Sequence, residues 1–109
     1  MADASVIVVP TTVLGELEGG FMRGSRYHDN AERLTEFLDE PFVMTLNVTA
    51  STARRYGEVY SALYAAGTPV SANDMWIAAA TLDCGGHLLT LDSDFERISG
   101  LPMTRLAPI

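Results

Sequence analysis

The sequence contains no lysine: its seven basic residues are all arginines, against fourteen aspartates and glutamates. Without lysine, neither a Walker-A phosphate loop nor a Schiff-base enzyme is expected. The formal net charge of −7 disfavours tight binding of nucleic acid by clustered basic residues. A nucleic-acid ligand would therefore need a bound cation that reverses the local charge.

Cysteine and histidine are also scarce. Cys84 is the only cysteine, so no disulfide can form within the chain, as is usual in a reducing cytosol, and we expect Cys84 in the core. His28 lies in a polar stretch and His87 starts an apolar one, so a pair of catalytic histidines is not expected. No apolar run approaches the roughly 18 residues of a membrane span, and the start of the sequence does not resemble a signal peptide. We expect a cytoplasmic protein without a membrane segment.

Apolar strand patterns alternate with helical ones along residues 1–109, which we predict to be a single domain. Two continuous apolar runs, 6–9 and 87–91, are typical of strands buried on both faces of a parallel sheet. The class is therefore α/β with a mostly parallel sheet. The predicted strands are 6–9, 42–46, 87–91 and 103–106, and the predicted helices are 12–23, 29–38, 49–66 and 72–84.

Apolar and small residues at helical spacing predict which helix faces are buried. Gly15 and Gly19 are expected to allow close packing of the first helix. Trp76 is expected in the core. The third helix is expected to bury a stripe formed by Ala53, Tyr56, Val59, Tyr60 and Leu63.

Four carboxylates stand where a strand ends or a helix begins: Glu16, Asp74, Asp92 and Asp94. In open parallel sheets, such places meet beyond the carboxyl ends of the strands. Acids gathered there repel one another unless a cation joins them. Mg²⁺ or Mn²⁺ is the expected ion, and hydrolysis of a phosphodiester is the expected reaction.

Each acid also has a purely structural explanation. Residues 71–74 match a capping box, in which Asp74 would only stabilise the start of a helix. Asp92 and Asp94 favour turns, and Glu16 could be a solvated acid beside Glu18. The metal-site hypothesis depends on the combination, because three separate segments deliver acids to one edge of the sheet.

Three stretches of the sequence resemble the PIN domain, specifically its VapC type of toxin–antitoxin ribonuclease. They are VVPTTVLGEL at 8–17, ANDMWIAA at 72–79, and LTLDSDF at 89–95 followed by ISGL at 98–101. The resemblance implies a PIN-like three-layer sandwich and a Mg²⁺-dependent endoribonuclease. It also implies an antitoxin protein that inhibits the enzyme, and usually a dimer.

The resemblance assigns a role to individual residues. It implies that Glu16 is the second acid of the family, Asp74 the third and Asp92 the fourth, with Asp94 an auxiliary carboxylate. Asn73 and Thr90 match positions that support those acids. All four acids are predicted to be both metal ligands and catalytic residues.

One departure from the family concerns the start of the sequence. Family members begin with a strand that ends in an Asp-Thr-Asn-like motif, carries the first acid and lies at the centre of the sheet. This sequence begins where the second strand of the family begins. We therefore expect a sheet that lacks its first, central strand. Its two neighbours would pair directly, or strand repair or swapping would build a homodimer or larger assembly.

Our leading prediction is a metal-dependent endoribonuclease, the toxin of a VapBC-type system, acting on RNA. The alternative is a catalytically impaired PIN-like interaction or regulatory domain that binds an antitoxin-like partner. A receiver or haloacid-dehalogenase-like phosphotransfer domain is disfavoured, because those sites use a lysine to pair the phosphoryl charge.

Overall fold

The structure, a computed structural model, describes residues 6–107 and confirms the α/β class. Every strand pair among the described residues is parallel. The chain divides into two compact units, Met1–Asn47 and Val48–Ile109. In chain order the elements are β1 Ile7–Pro10, α1 Thr11–Arg23, α2 Tyr27–Leu38, β2 Val43–Leu46, α3 Ala50–Ala66, α4 Ala72–Asp83, β3 Leu88–Thr90, a 3₁₀ helix Ser93–Arg97 and β4 Met103–Arg105.

The first unit is one parallel strand pair with a helical crossover. β1 lies beside β2, with Ile7 opposite Val43, and α1 and α2 connect them. The Tyr27 hydroxyl donates to a carboxylate oxygen of Glu18 at 2.7 Å and so joins the two helices. This hydrogen bond, more than any burial, raises the pKa of Tyr27 above its ordinary value. Neither helix contains a buried residue.

The second unit is built around α3 and α4. A reciprocal capping box between Thr49 and Thr52 starts α3, and Gly67 ends it in the left-handed region at φ +69°. Ser71 caps the start of α4. β3 lies parallel to β4, with Leu88 opposite Met103. Ala78 and Ala79 are completely buried, because small side chains let α4 approach its neighbours closely. The remaining buried apolar residues of this unit are Val59, Leu63, Met75, Ile77, Ala80, Phe95, Ile98 and Leu101.

The strands are more exposed than their sequence predicts. Leu89, in the second apolar run, is 64% exposed and Ile7, in the first, is 47% exposed. The prediction that both runs are interior strands covered on both faces is wrong for the described residues. Each sheet has only two strands, so each strand has an open edge and part of its surface remains solvated.

The predicted helix faces also differ in detail. The buried side of α3 carries Thr52, whereas Ala53 and Tyr60 are exposed. Val59 and Leu63 are buried as predicted, so the predicted stripe is confirmed only in part. Cys84, expected in the core, is exposed because it follows the last residue of α4.

Two further expectations about helix packing fail. Trp76 is only half-buried. The close packing expected at Gly15 and Gly19 is wrong: beyond the neighbouring backbone of α1 itself, a Cβ at either position would meet no described atom within 4 Å.

The strands within residues 6–107 form two parallel ladders, β1 with β2 and β3 with β4. Direct pairing of β1 with β3 is not among these ladders. The single domain over 1–109 and the repair of the sheet by another strand stay predictions. No helix within residues 6–107 is both long enough and apolar enough to cross a membrane.

Candidate metal centre

Asp74 lies in the first turn of α4, where its backbone is fixed by a cap. The N–H of Asp74 donates to the hydroxyl oxygen of Ser71 at 3.2 Å. Ser71 therefore satisfies one of the amides that a helix start leaves without a partner. The cap uses only the backbone N–H of Asp74. The half-buried carboxylate of Asp74 belongs to the cluster of acids described below.

Asp92 and Asp94 are positioned by two short hydrogen-bonded turns after β3. The N–H of Asp92 donates to the hydroxyl oxygen of Thr90 at 3.0 Å. The N–H of Asp94 donates in turn to Oδ1 of Asp92 at 2.8 Å, which caps the 3₁₀ helix. The backbone amides of Asp92 and Asp94 therefore do form turns, as the structural explanation of these two acids predicts. The same turns direct both side chains toward Asp74.

The structure brings three of the four predicted acids together. Asp74, Asp92 and Asp94 each offer a carboxylate oxygen, and these three oxygens lie within 4.8 Å of one another. Opposite ligands of a bound Mg²⁺ are separated by about 4.2 Å, twice its bond length to oxygen, and those of Ca²⁺ by about 5 Å. Hard oxygen donors at this spacing fit a divalent cation of the Mg²⁺ or Mn²⁺ kind.

One arginine borders the cluster. Nη2 of Arg97 lies 3.8 Å from Oδ1 of Asp94, and Nη1 donates to the carbonyl oxygen of Pro69 at 3.1 Å. Both partners of the ion pair are about half exposed, so the pair contributes little stability. Its effect is geometric, because it ties the 3₁₀ helix to the loop before α4 and so restrains Asp94.

Arg97 is not among the residues predicted from the sequence to belong to the site. Its spacing of three residues from Asp94 was the available signal, because that spacing places oppositely charged side chains on one helical face. Three carboxylates and one guanidinium still leave an excess of negative charge. A divalent cation would offset this excess.

The other residues singled out in the sequence lie elsewhere or have a different environment. Glu16 is an exposed residue of α1 in the first unit, and Asn73 is exposed in the first turn of α4. Nε2 of His87, the residue directly before β3, lies 2.7 Å from the hydroxyl of Thr104 in β4. The roles of Glu16 and Asn73 at a metal site stay predictions, as does that of Thr90.

Comparison with known proteins identifies the family. The family model of the PIN domain matches residues 1–101. The chain is 32% identical over 94 residues to Ribonuclease VapC5 of Mycobacterium tuberculosis, a match that covers 84% of this chain and 70% of that protein.

Solved structures agree with that relationship. The crystal structure of VapBC2 from Rickettsia felis, bound to a DNA fragment from their promoter, matches with a TM-score of 0.83 and 26% identity over 92% of this chain and 74% of that chain. VapBC-5 from Mycobacterium tuberculosis matches with a TM-score of 0.72 and 27% identity, over 89% of this chain and 79% of that one. Because the fold, the motifs and these matches agree, the chain belongs to the PIN domain family and, within it, to the VapC type.

Proposed function

We propose that this protein is a metal-dependent endoribonuclease, the toxin of a VapBC-type toxin–antitoxin pair, and that it hydrolyses RNA phosphodiester bonds. The observation that carries the proposal is the meeting of Asp74, Asp92 and Asp94 within 4.8 Å. The relative VapC5 is named a ribonuclease, and structural neighbours are VapBC complexes. These relatives support RNA as the substrate and an antitoxin as the protein partner.

In this proposal the acids bind the cation and fix its position. Asp74, Asp92 and Asp94 supply oxygen ligands, and Glu16 adds a fourth. When bound, Mg²⁺ or Mn²⁺ supplies a hydroxide nucleophile at neutral pH and offsets negative charge at the phosphoryl group. The hydrogen bond from the Asp94 amide holds the Asp92 carboxylate in one orientation, so little reorganisation is needed on binding.

The expected reaction is simple hydrolysis. An oxygen from water forms a bond to phosphorus, and the bond from phosphorus to the 3′ oxygen breaks. The leaving oxygen takes up a proton, so that one product ends in a 5′-phosphate and the other in a 3′-hydroxyl. We also propose that the protein forms a homodimer or larger assembly and acts in the cytoplasm.

A catalytically impaired interaction domain is the second candidate, and Arg97 favours it. Its guanidinium lies 3.8 Å from Asp94 and offsets part of the negative charge that would attract a cation. A domain of this kind would bind an antitoxin-like partner without cutting RNA. Copurification with such a partner, together with intact RNA in Mg²⁺ and Mn²⁺, would select it.

Calorimetric titration with Mn²⁺ tests the site directly. Wild-type protein should bind, and Asp92→Asn should weaken binding by roughly tenfold or more, because one anionic ligand is lost. Asp29→Asn is the matched control: it removes the same charge from an exposed acid of α2 whose ion-pair partner is Arg26. Its titration curve should match that of the wild type.

Two outcomes would contradict the proposal in different ways. Identical Mn²⁺ curves for wild type and Asp92→Asn would remove the metal site. Binding that is normal but leaves RNA uncut would remove the enzyme and leave the fold assignment standing. Glu16→Gln extends the test to the first unit, where weaker Mn²⁺ binding is expected if Glu16 is the fourth ligand.

A further inference from the structure

Arg97 makes two contacts of different kinds at the border of the acid cluster. Nη1 donates a hydrogen bond of 3.1 Å to the carbonyl oxygen of Pro69, a neutral partner. Nη2 lies 3.8 Å from Oδ1 of Asp94, which is too long for a hydrogen bond between a guanidinium and a carboxylate. Asp94 therefore attracts Arg97 by charge, whereas Pro69 holds it by a directed bond.

The guanidinium of Arg97 remains accessible to a ligand. Its side chain is 51% exposed, and that of Asp94 is 43% exposed. Arginine carries five N–H donors in a planar fork, and the bond to Pro69 uses one of them. Donors therefore remain for a further acceptor. Phosphate oxygens suit this fork, because arginine can bind two of them at once.

The charge of the cation-bound site depends on Arg97. Asp74, Asp92 and Asp94 bring three formal negative charges, and a divalent cation offsets two of them. The guanidinium of Arg97 offsets the third, so the acids, the cation and Arg97 together are neutral. A phosphodiester carries one negative charge, which a site without Arg97 would repel. The fourth carboxylate proposed for the site, that of Glu16, would increase this repulsion.

Binding of a cation also changes what holds Arg97 in place. A cation at the carboxylate of Asp94 offsets the charge that attracts Nη2. The hydrogen bond to Pro69 does not depend on that charge, because its acceptor is a neutral carbonyl. The guanidinium therefore stays at the border of the cluster while its attraction to Asp94 falls, and it is free to take an anionic partner from the substrate.

We propose that Arg97 binds the phosphate at the bond that is cut, and that it exchanges Asp94 for this phosphate when the cation binds. The inference rests on the proposed function and deepens it by naming the residue that accommodates the charge of the substrate. It also explains how an acidic cluster in a protein of net charge −7 admits a polyanion. Three other arginines pair with acids outside the cluster, namely Asp29, Glu58 and Glu96.

Two titrations should change in opposite directions when Arg97 is replaced, and the first measures the cation alone. Arg97→Gln removes the positive charge and keeps a polar side chain. In calorimetry it should bind Mn²⁺ roughly twofold to tenfold more tightly than wild type, because a competing positive charge is lost. Arg97→Lys keeps the charge and should bind Mn²⁺ as the wild type does.

The second titration measures RNA. A fluorescein-labelled 12-nucleotide single-stranded RNA is titrated in Ca²⁺, which also takes oxygen ligands, and separately in EDTA. Anisotropy reports binding, and gel electrophoresis of the same samples checks that the RNA is intact. In Ca²⁺, Arg97→Gln should weaken binding by roughly tenfold to a hundredfold, the effect of losing hydrogen bonds to a charged group. In EDTA, where Asp94 retains Arg97, the loss should be less than about threefold.

Conservative and control variants show whether the effect belongs to the guanidinium. Arg97→Lys should restore part of the RNA affinity, because it supplies the charge without the planar fork. Arg55→Gln is the matched control: Arg55 lies in α3, is about half exposed and pairs with Glu58 at 3.2 Å. It removes the same charge from an ion pair outside the cluster, so both titrations should match those of the wild type. Circular dichroism confirms that each variant is folded.

Three results would overturn the proposal. Weaker Mn²⁺ binding by Arg97→Gln would show that Arg97 only holds Asp94 in position. Unchanged RNA affinity in Ca²⁺ would show that the guanidinium neutralises the acids without contacting the substrate. An equal loss of RNA affinity in Ca²⁺ and in EDTA would show a general effect of charge, with no exchange of partner.

The same variants separate this proposal from the proposed function. RNA that wild type and Arg97→Gln bind and cut equally well would remove the role of Arg97 and leave the enzyme. RNA that is never cut in Mg²⁺ or Mn²⁺, but whose cation-dependent binding is lost in Arg97→Gln, would remove the enzyme and leave Arg97 as a phosphate-binding residue.

Discussion

The two units of this protein differ sharply in how they bury their side chains. In the first unit, Val43 is the single buried residue among those that the structure describes, and α1 and α2 have none. In the second unit, α3 and α4 share a core that includes two alanines with no exposed surface. The three clustered acids also belong to the second unit.

This difference shows where the rigidity of the site originates. A carboxylate cluster needs fixed oxygen positions. The second unit fixes them by burying Met75 directly after Asp74 and Phe95 directly after Asp94. In the first unit, Ile7, Met22 and Phe37 remain between 38% and 67% exposed. Its helices carry apolar faces that the described residues leave largely uncovered.

The sharpest test of the contrast compares two phenylalanines. Phe95 is 4% exposed and Phe37 is 38% exposed. Phe95→Ala should lower the free energy of unfolding by about 3–5 kcal/mol, because it leaves a cavity in a closed core. Phe37→Ala should cost about 1–2 kcal/mol, since less apolar area leaves contact with the protein. Urea unfolding followed by circular dichroism measures both.

The slope of each urea transition serves as its control, because an unchanged slope shows that the midpoint reports stability. Equal losses in the two variants would mean that the first unit has a core as closed as that of the second. The difference in burial between the two units would then not be matched by a difference in the free energy of unfolding.

A smaller effect is expected from the polar contact that joins α3 to α4. The hydroxyl of Ser51 donates to the carboxylate of Asp83, and so does that of Thr52, at 3.3 Å. Asp83 ends α4, where a negative charge opposes the dipole of its own helix, but it lies at the start of α3, whose dipole favours it. Asp83→Asn should therefore destabilise the protein by about 1–2 kcal/mol.

Asp39 provides the counterpart in the first unit. It follows the last residue of α2, and no side-chain hydrogen bond reaches its carboxylate within residues 6–107. Asp39→Asn should change stability by less than about 0.5 kcal/mol and toward stabilisation, because it removes a negative charge from a helix C-terminus. A thermal melt in which Asp39→Asn loses as much as Asp83→Asn would show that the contact with Ser51 and Thr52 is not responsible.

The elements of the fold could be read from the sequence because local chemistry determines them. Gly67 and Gly85 both adopt the left-handed conformation that the helix stops require, and Ser71 caps α4 as its position predicts. The order of strands and helices is confirmed for the same reason. These features depend on a few neighbouring residues.

The exposure of the apolar strands and the interactions of Arg97 could not be predicted from neighbouring residues alone. Leu89 belongs to an apolar run that is typical of a buried strand, yet its exposure depends on how many strands join the sheet. The gathering of Asp74 with Asp92 and Asp94 follows from parallel-sheet geometry. The hydrogen bond from Arg97 to the carbonyl oxygen of Pro69 depends on the path of the loop before α4. No periodic pattern in the sequence predicts the path of a loop.

A pair of stabilising substitutions tests whether the helices of the two units are equally well formed. Gly19 in α1 and Gly57 in α3 are interior helical glycines. Beyond the neighbouring backbone of its own helix, a Cβ at either position would meet no described atom within 4 Å. Gly19→Ala and Gly57→Ala should each stabilise the protein by about 0.5–1 kcal/mol, because alanine restricts the unfolded chain and favours the helix. Differential scanning calorimetry resolves shifts of this size. If only Gly57→Ala stabilises, α1 is not fully helical in solution, and the contrast between the units extends from packing to secondary structure.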